Sequence, residues 1–333
     1  MIHCSTYARK KCINKIKLKI MRMHKFMIPL LMGTLGFICT YGQKTLAEKL
    51  GYPKDSKLLI IHADDVGLSH SEDAATITAL EKKGVNSASI MVPCPWFPEI
   101  AGYAKQHPEV DWGIHLTLTS EWKNYKWGGV SSSNEISSLL DKDGYMYASV
   151  EDFGKNAKPA DVEKEIKAQI EKAISSGIKI THIDSHMGSI LASPELIAIY
   201  EKIGRQYRLP VFVPVNYIRM IAPGLVKYID TTSISIVNNF AMAYPAVPAD
   251  KWNEFYIKFL QNLQPGLNEL IFHLAFNDDE CKAITIDHPD YGAAWRQRDF
   301  DCAISEEFTT LLKKDHVQLI TWGDIQKVMY NTK

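Results

Sequence analysis

The sequence predicts an α/β chain folded as a closed or distorted (β/α) barrel, TIM-like, with mostly parallel strands inside and helices outside. Three observations predict it. Short apolar runs alternate with amphipathic stretches about seven times between residues 58 and 321, the signature of βα units around a parallel sheet. The 333 residues, 46% apolar and 23% charged, are enough for one large barrel. No linker-like stretch and no fixed repeat interrupts residues 44–333, so a single barrel domain is expected there.

The elements follow in order. Leu58-Leu59-Ile60-Ile61 reads as a buried strand, and a helix over 71–83 ends at Gly84. Residues 88–92 give a second strand stopped by Pro93, and a helix over 97–106 leads to a third strand at 112–118. Residues 120–160 are rich in Ser, Asn, Gly, Trp and Tyr without a clear period; so long an excursion is expected beside a functional site. A helix over 162–176 carries Val162, Ile166, Ile170 and Ile174 on one stripe, with Gly177 after it. A strand at 179–184 follows, then a helix opened by Ser193-Pro194 with Leu196, Ile199, Tyr200 and Ile203 inward. Strands at 211–215, 269–275 and 318–321 and helices over 250–262 and 301–314 complete the series.

The N-terminus reads as an address. Residues 1–43 carry eight Lys and Arg side chains and no Asp or Glu, and their charges precede an apolar run at 26–39. At about 13 residues that run is too short to span a bilayer and has the length of a signal-peptide core. A cleaved signal peptide over 1–43 is expected, with cleavage near Tyr41-Gly42-Gln43 and Met21 or Met23 as alternative starts. Export to the periplasm or the medium follows, with no membrane span left after cleavage; a retained N-terminal anchor is the alternative. Residues 44–333 keep 30 basic against 38 acidic side chains, a balance that argues against nucleic-acid binding. They also keep Cys94, Cys281 and Cys302; this odd set without CxxC leaves a Cys281–Cys302 bridge as one option.

In such folds the chemistry sits at the carboxyl ends of the strands. Four strand ends carry polar groups: His62-Ala63-Asp64-Asp65, His115, Asp184-Ser185-His186, and His273 followed by Asn277-Asp278-Asp279. Each alone also fits a turn, a helix cap or a core histidine. Together they offer one carboxylate and two imidazoles for a metal site open to water, with a second carboxylate beside it to take a proton. Asp64 and Asp65 are adjacent, so their side chains diverge and can divide those roles. His62, His70, His107, His182 and His288 are assigned to structure or surface.

The segment Ile60-Ile61-His62-Ala63-Asp64-Asp65-Val66-Gly67-Leu68-Ser69 resembles the opening motif of the YdjC-like carbohydrate deacetylases. Residues 86–92, 113–119 and 181–186 resemble the family's next blocks in order, and Trp295-Arg296-Gln297-Arg298-Asp299 and Leu319-Ile320-Thr321-Trp322 also look familial. The resemblance runs from about 58 to 325, and its combined motifs are specific. It implies a distorted (β/α) barrel, one divalent metal ion and hydrolysis of an N-acetyl group from an amino sugar, typically in a chitooligosaccharide. By position it makes Asp65, His115 and His186 the metal ligands and Asp64 the general base. His273 becomes an acid for the leaving amine or a stabiliser of the oxyanion. Two imidazoles and a carboxylate suit Zn, while the family also implies Mg. Trp122, Tyr125, Trp127 and Tyr145 are candidates to stack on sugar faces, and Arg296 is a further candidate for binding substrate. Three positions depart from the family: Gly188 stands where a further histidine is usual, Leu274-Ala275 where Pro-Gly follows the late histidine, and His62 where Asn precedes Ala-Asp-Asp.

The expected partner is therefore an acetylated oligosaccharide, and the oligomeric state is left open. Two other functions stay open at this level: another metal-dependent hydrolase on the same barrel, and a secreted glycan-binding protein without turnover.

Overall fold

The structure, a computed structural model, describes residues 44–313 and 317–331. The signal-peptide reading of residues 1–43 lies outside the described residues.

Helix α1 (Leu46–Lys49), capped by Thr45 and Glu48, precedes β1 (Lys57–Val66). Then come α2 (His70–Glu81), β2 (Ser87–Ile90), α3 (Phe97–Gln106) and β3 (Trp112–Leu116). The excursion that follows holds α4 (Val150–Asn156), and α5 (Pro159–Ser175) leads to β4 (Ile180–Ser185) and α6 (Pro194–Tyr207). Next are β5 (Val213–Pro214), α7 (Val215–Ile221), β6 (Ile236–Val237), β7 (Asn239–Ala241), α8 (Trp252–Gln261) and β8 (Gly266–Phe272). The chain ends through α9 (Asp279–Ile284), α10 (Ala293–Ala303), α11 (Glu306–Leu311), β9 (Gln318–Leu319) and α12 (Trp322–Tyr330).

All pairings among these strands are parallel, in the order β4-β3-β2-β1-β8-β7, with β5 paired to β6. The ring closes through two short links. Ile183 of β4 bridges Val211, just before β5, and one continuous stretch supplies both β6, on β5, and β7, on β8. β1 pairs with β8 along its first seven residues, while its other edge meets β9 at Leu58 and Leu59 and β2 only from His62 onward. The result is the distorted barrel that the sequence predicts.

Period-two alternation along β1 sorts its side chains. Leu59, Ile61 and Ala63 pack with the helix layer, whereas Leu58 and Ile60 join Leu267, Ile320, Trp322 and Ile325 in a separate apolar cluster. His62 and Asp64 continue that second row, so one side of β1 runs from apolar to polar toward its carboxyl end.

Several expectations are corrected. The strand at 318–321 shrinks to β9, and the segment 236–241 supplies strand pairing that its mixed polar pattern did not signal. The helix placed at 301–314 is two helices, α10 and α11, broken where Ser305 caps the second. Ile174 is 52% exposed, and Ala173 takes the inward place beside Ile170. Cys281 and Cys302 are free and buried on separate helices, so the suggested bridge is absent.

Candidate active site

The carboxyl end of β1 carries an irregularity of the barrel. The register of β1 on β2 shifts between Ala63 and Val66, and within that bulge Asp65 takes φ 65°. A bulge re-aims side chains beside a site, and here it turns two adjacent carboxylates to different partners. Asp64 stays with the row of His62. Asp65 points to the ends of β3 and β4.

Asp65 Oδ1 lies 3.3 Å from His115 Nε2 and 3.2 Å from His186 Nδ1. It is buried and accepts no hydrogen bond. These three donor atoms lie within 4.8 Å of one another. The second nitrogen of each ring is held by another carboxylate: His115 Nδ1 meets Asp184 Oδ1 at 2.6 Å, and His186 Nε2 meets Glu121 at 3.1 Å. An orphaned carboxylate oxygen between two imidazoles, each oriented from behind by a carboxylate, fits a divalent cation.

The electrostatics agree. Burial opposes charge on Asp65, but Arg296, His115 and His186 outweigh it and hold its carboxyl well below the usual range. Burial also opposes charge on His186, yet Glu121 and Asp65 push it up to about 9. His115 is likewise raised, against burial, by Asp64 and Asp184. A cation held there would displace protons from both rings.

Asp64 and His273 lie at the more open edge. Asp64 Oδ2 is 3.7 Å from His273 Nε2, with the two side chains 11% and 14% exposed. Burial lowers the His273 pKa, so its ring is neutral at neutral pH. The residue follows β8 rather than lying within it, its backbone N–H donates to Asp299 Oδ2, and its ring leans on Trp295.

The other substrate-binding candidates fare differently. Arg296 is 3% exposed and donates to Asp65 Oδ2 at 2.9 Å, with Glu72 Oε1 3.7 Å from its Nε. Its guanidinium is thus engaged with the site's own carboxylate. Trp122 and Trp127 are 2% and 3% exposed, so neither offers an open face to a sugar. Trp127 donates to Thr119 O, and Trp122 meets His288 edge-on beneath Arg296. With Ile136, Leu139, Met146 and Phe153 they extend the main apolar core of the barrel into the excursion. Tyr125 is half-buried with its hydroxyl on Leu68 O, whereas Tyr145 keeps an exposed ring on a turn closed by Asp141.

A model of the YdjC-like protein family matches residues 58–314. The chain belongs to the YdjC-like family. A carbohydrate deacetylase of Thermus thermophilus is 30% identical over 290 residues, 86% of this YdjC-like chain and 99% of that protein. A carbohydrate deacetylase of Thermoanaerobacter pseudethanolicus is 30% identical over 236 residues, covering 70% and 86% of the two chains. A crystal structure of an Enterococcus faecalis protein superposes with a TM-score of 0.67 at 22% identity, over 80% of this chain and 98% of that one. That likeness concerns the fold. In this YdjC-like chain the bulge at 64–65 and the ends of β3, β4 and β8 thus bring Asp64, Asp65, His115, His186 and His273 to one place.

Sequence reasoning missed Glu121, and it left Asp184 without a role and His62 among the structural histidines. Glu121 gave no signal beyond being the first acid after β3. His62 did give one: it stands two residues before Asp64 on a strand and so shares its side.

Proposed function

We propose that this chain is a metal-dependent hydrolase that removes N-acetyl groups from amino-sugar oligosaccharides. The observation that carries the reading is the buried donor set Asp65, His115 and His186 with a separate carboxylate, Asp64, beside it and a neutral His273 3.7 Å from that carboxylate. The curated relatives named as carbohydrate deacetylases support the reaction class.

Asp65, His115 and His186 would hold one divalent cation, Zn or Mg, of which the two imidazoles favour Zn. When bound, such an ion supplies Lewis acidity to an amide carbonyl and acidifies water. The remaining work falls to the chain. Asp64 accepts the proton of the attacking water through a carboxylate that Asp65 leaves free for that task. His273 relays that proton to the amide nitrogen as the C–N bond breaks. Acetate and a free amine are the products. Arg296 keeps Asp65 ionised, and Asp184 and Glu121 hold the two ligand rings in place.

Chitooligosaccharides are the proposed substrates, and of the aromatic residues proposed from the sequence to stack on them Tyr145 keeps an exposed ring. Export ahead of residue 44, and action of 44–333 as one catalytic domain, belong to the same proposal. A substrate panel tests it: N-acetylglucosamine oligomers, O-acetylated sugars and phosphate esters, each with Zn, Mg and chelator. Acetate release confined to N-acetylated sugars and abolished by chelation is expected. Phosphate release, or no turnover with glycan still bound, would replace the reading.

A further inference from the structure

We propose that His62, outside the metal-binding triad, is a positioning residue for this reaction. One ring N–H, shared between Asp64 and Asp184, fixes the base by its Oδ1 and leaves Oδ2 as the oxygen that takes the proton. The inference rests on the reading of Asp64 as base.

Its ground is the geometry around one fully buried ring. Asp64 faces it from β1, Ser87 and Ser89 from β2, His182 and Asp184 from β4, and Glu269 from β8. Nδ1 lies 2.9 Å from Ser87 Oγ, with Glu269 Oε1 at 3.9 Å. Nε2 lies 3.1 Å from Asp184 Oδ2, 3.2 Å from Asp64 Oδ1 and 3.1 Å from Ser89 Oγ. The His182 ring packs edge-on at 5.1 Å and removes rotational freedom. With Ser87 on the far nitrogen, only Nε2 can reach the two carboxylates.

The charges around the ring support this arrangement. Burial lowers His182 well below its usual range and pushes Glu269 up to about 8, so neither supplies a cation or a competing anion at neutral pH. Burial also opposes charge on His62, but its bonds to Asp184 and Asp64 outweigh it and raise the ring to about 10. His62 is then the counter-charge between two carboxylates.

Two consequences follow for the site. Asp64 Oδ1 is occupied by His62 and by Ser89 Oγ at 3.4 Å, so Oδ2, on the His273 side, is the oxygen left for chemistry. Asp184 grips His62 with Oδ2 and the ligand ring of His115 with Oδ1. His62 therefore shares Asp184 with His115, whose own 2.6 Å contact to Oδ1 does not depend on the His62 ring. Positioning of this kind carries about 10–100-fold in activity.

The test compares wild-type protein, His62→Leu and His62→Asn, with kcat, KM, bound metal and thermal midpoint measured for each. His62→Leu is expected to lower kcat by about 10–100-fold with KM and metal stoichiometry unchanged, and His62→Asn, which retains an N–H donor, to recover most of the loss. Wild-type kcat in folded His62→Leu would overturn the proposal, and so would loss of metal in parallel with activity. Ring 15N NMR of His62 in the wild-type protein gives a readout without turnover, should His62→Leu fail to fold or should no glycan be deacetylated. A protonated Nε2 supports the clamp, and an unprotonated Nε2 overturns it. Absence of acetate release by wild type counts against the deacetylase reading, not against the clamp.

Discussion

At Asp65 the backbone enters the left-handed region, a conformation that costs a non-glycine residue about 1–3 kcal/mol. Its neighbours hold it there: Arg296 takes Oδ2, and His115 and His186 converge on Oδ1. The proposed ligand role of Asp65, His115 and His186 is thus shared with the groups behind them, Arg296, Asp184 and Glu121. Glu121, on the outer nitrogen of His186, is the simplest of these to test. Glu121→Gln is expected to weaken metal affinity by about 10–100-fold while the fold persists, as read by calorimetric titration. Unchanged affinity would mean that His186 is oriented by its backbone alone. The residue scale also shows why aromatic residues in an aperiodic stretch mislead. Trp122 and Trp127 carry the chemistry of sugar stacking, but their segment had to bury something, and no partner in the sequence said so.

Among elements, legibility follows the strength of the period. β1, β2 and β3 could be placed from short apolar runs because nearly every residue in them is buried, α3 from its stripe of Phe97, Ile100, Ala101 and Ala104, and α2 from the Gly84 that follows it. α4, α7 and α9, with six or seven residues each, lack the length for a stripe, and β6 and β7 pair through too few residues to show alternation. The polar face of α5 was also invisible. Glu165 accepts the backbone N–H groups of Val130 and Ser131, and Gln169 clamps both backbone groups of Thr117, so this helix ties the excursion to β3. A register feature gives the element-scale prediction. A Cβ on Gly113 of β3 would lie 2.3 Å from His182 Nε2, and that ring is packed between His62 and Trp322. Gly113→Ala is expected to destabilise the protein by about 1–3 kcal/mol in urea unfolding. An unchanged midpoint would mean that β3 and β4 slide without cost.

For the whole molecule, the polar interior of the barrel makes stability depend on pH. Burial raises Asp73 to about 9 and Glu269 to about 8, and carboxylate neighbours raise His62 to about 10 against burial. Their ordinary values are 3.8, 4.5 and 6.5. Above pH 6.5 each group therefore binds more protons in the folded than in the unfolded chain, so stability falls as pH rises toward 8–10, by about 1.4 kcal/mol per pH unit for each fully differing group. Asp65 and Asp184 are shifted downward, and their contribution is lost only at acid pH. The urea midpoint of metal-free protein is expected to fall from pH 6.5 to 9; a flat profile would refute this charge assignment. At this scale the barrel and the order of its site-bearing strands were readable, because each strand end announces its own polar residues. The supporting roles of Glu121 and Asp184 were not, because they rest on contacts with His186 and His115 that no local pattern announces, and His62 left only its place on the side of Asp64. The most direct measurement of the central claim is acetate release from N-acetylglucosamine oligomers by metal-reconstituted protein, beside Asp64→Asn. Release by the wild type, reduced about 10²–10⁴-fold in the variant with metal still bound, is the expected result. Equal release by both proteins would contradict Asp64 as the base, and no release by the metal-loaded wild type would contradict the deacetylase itself.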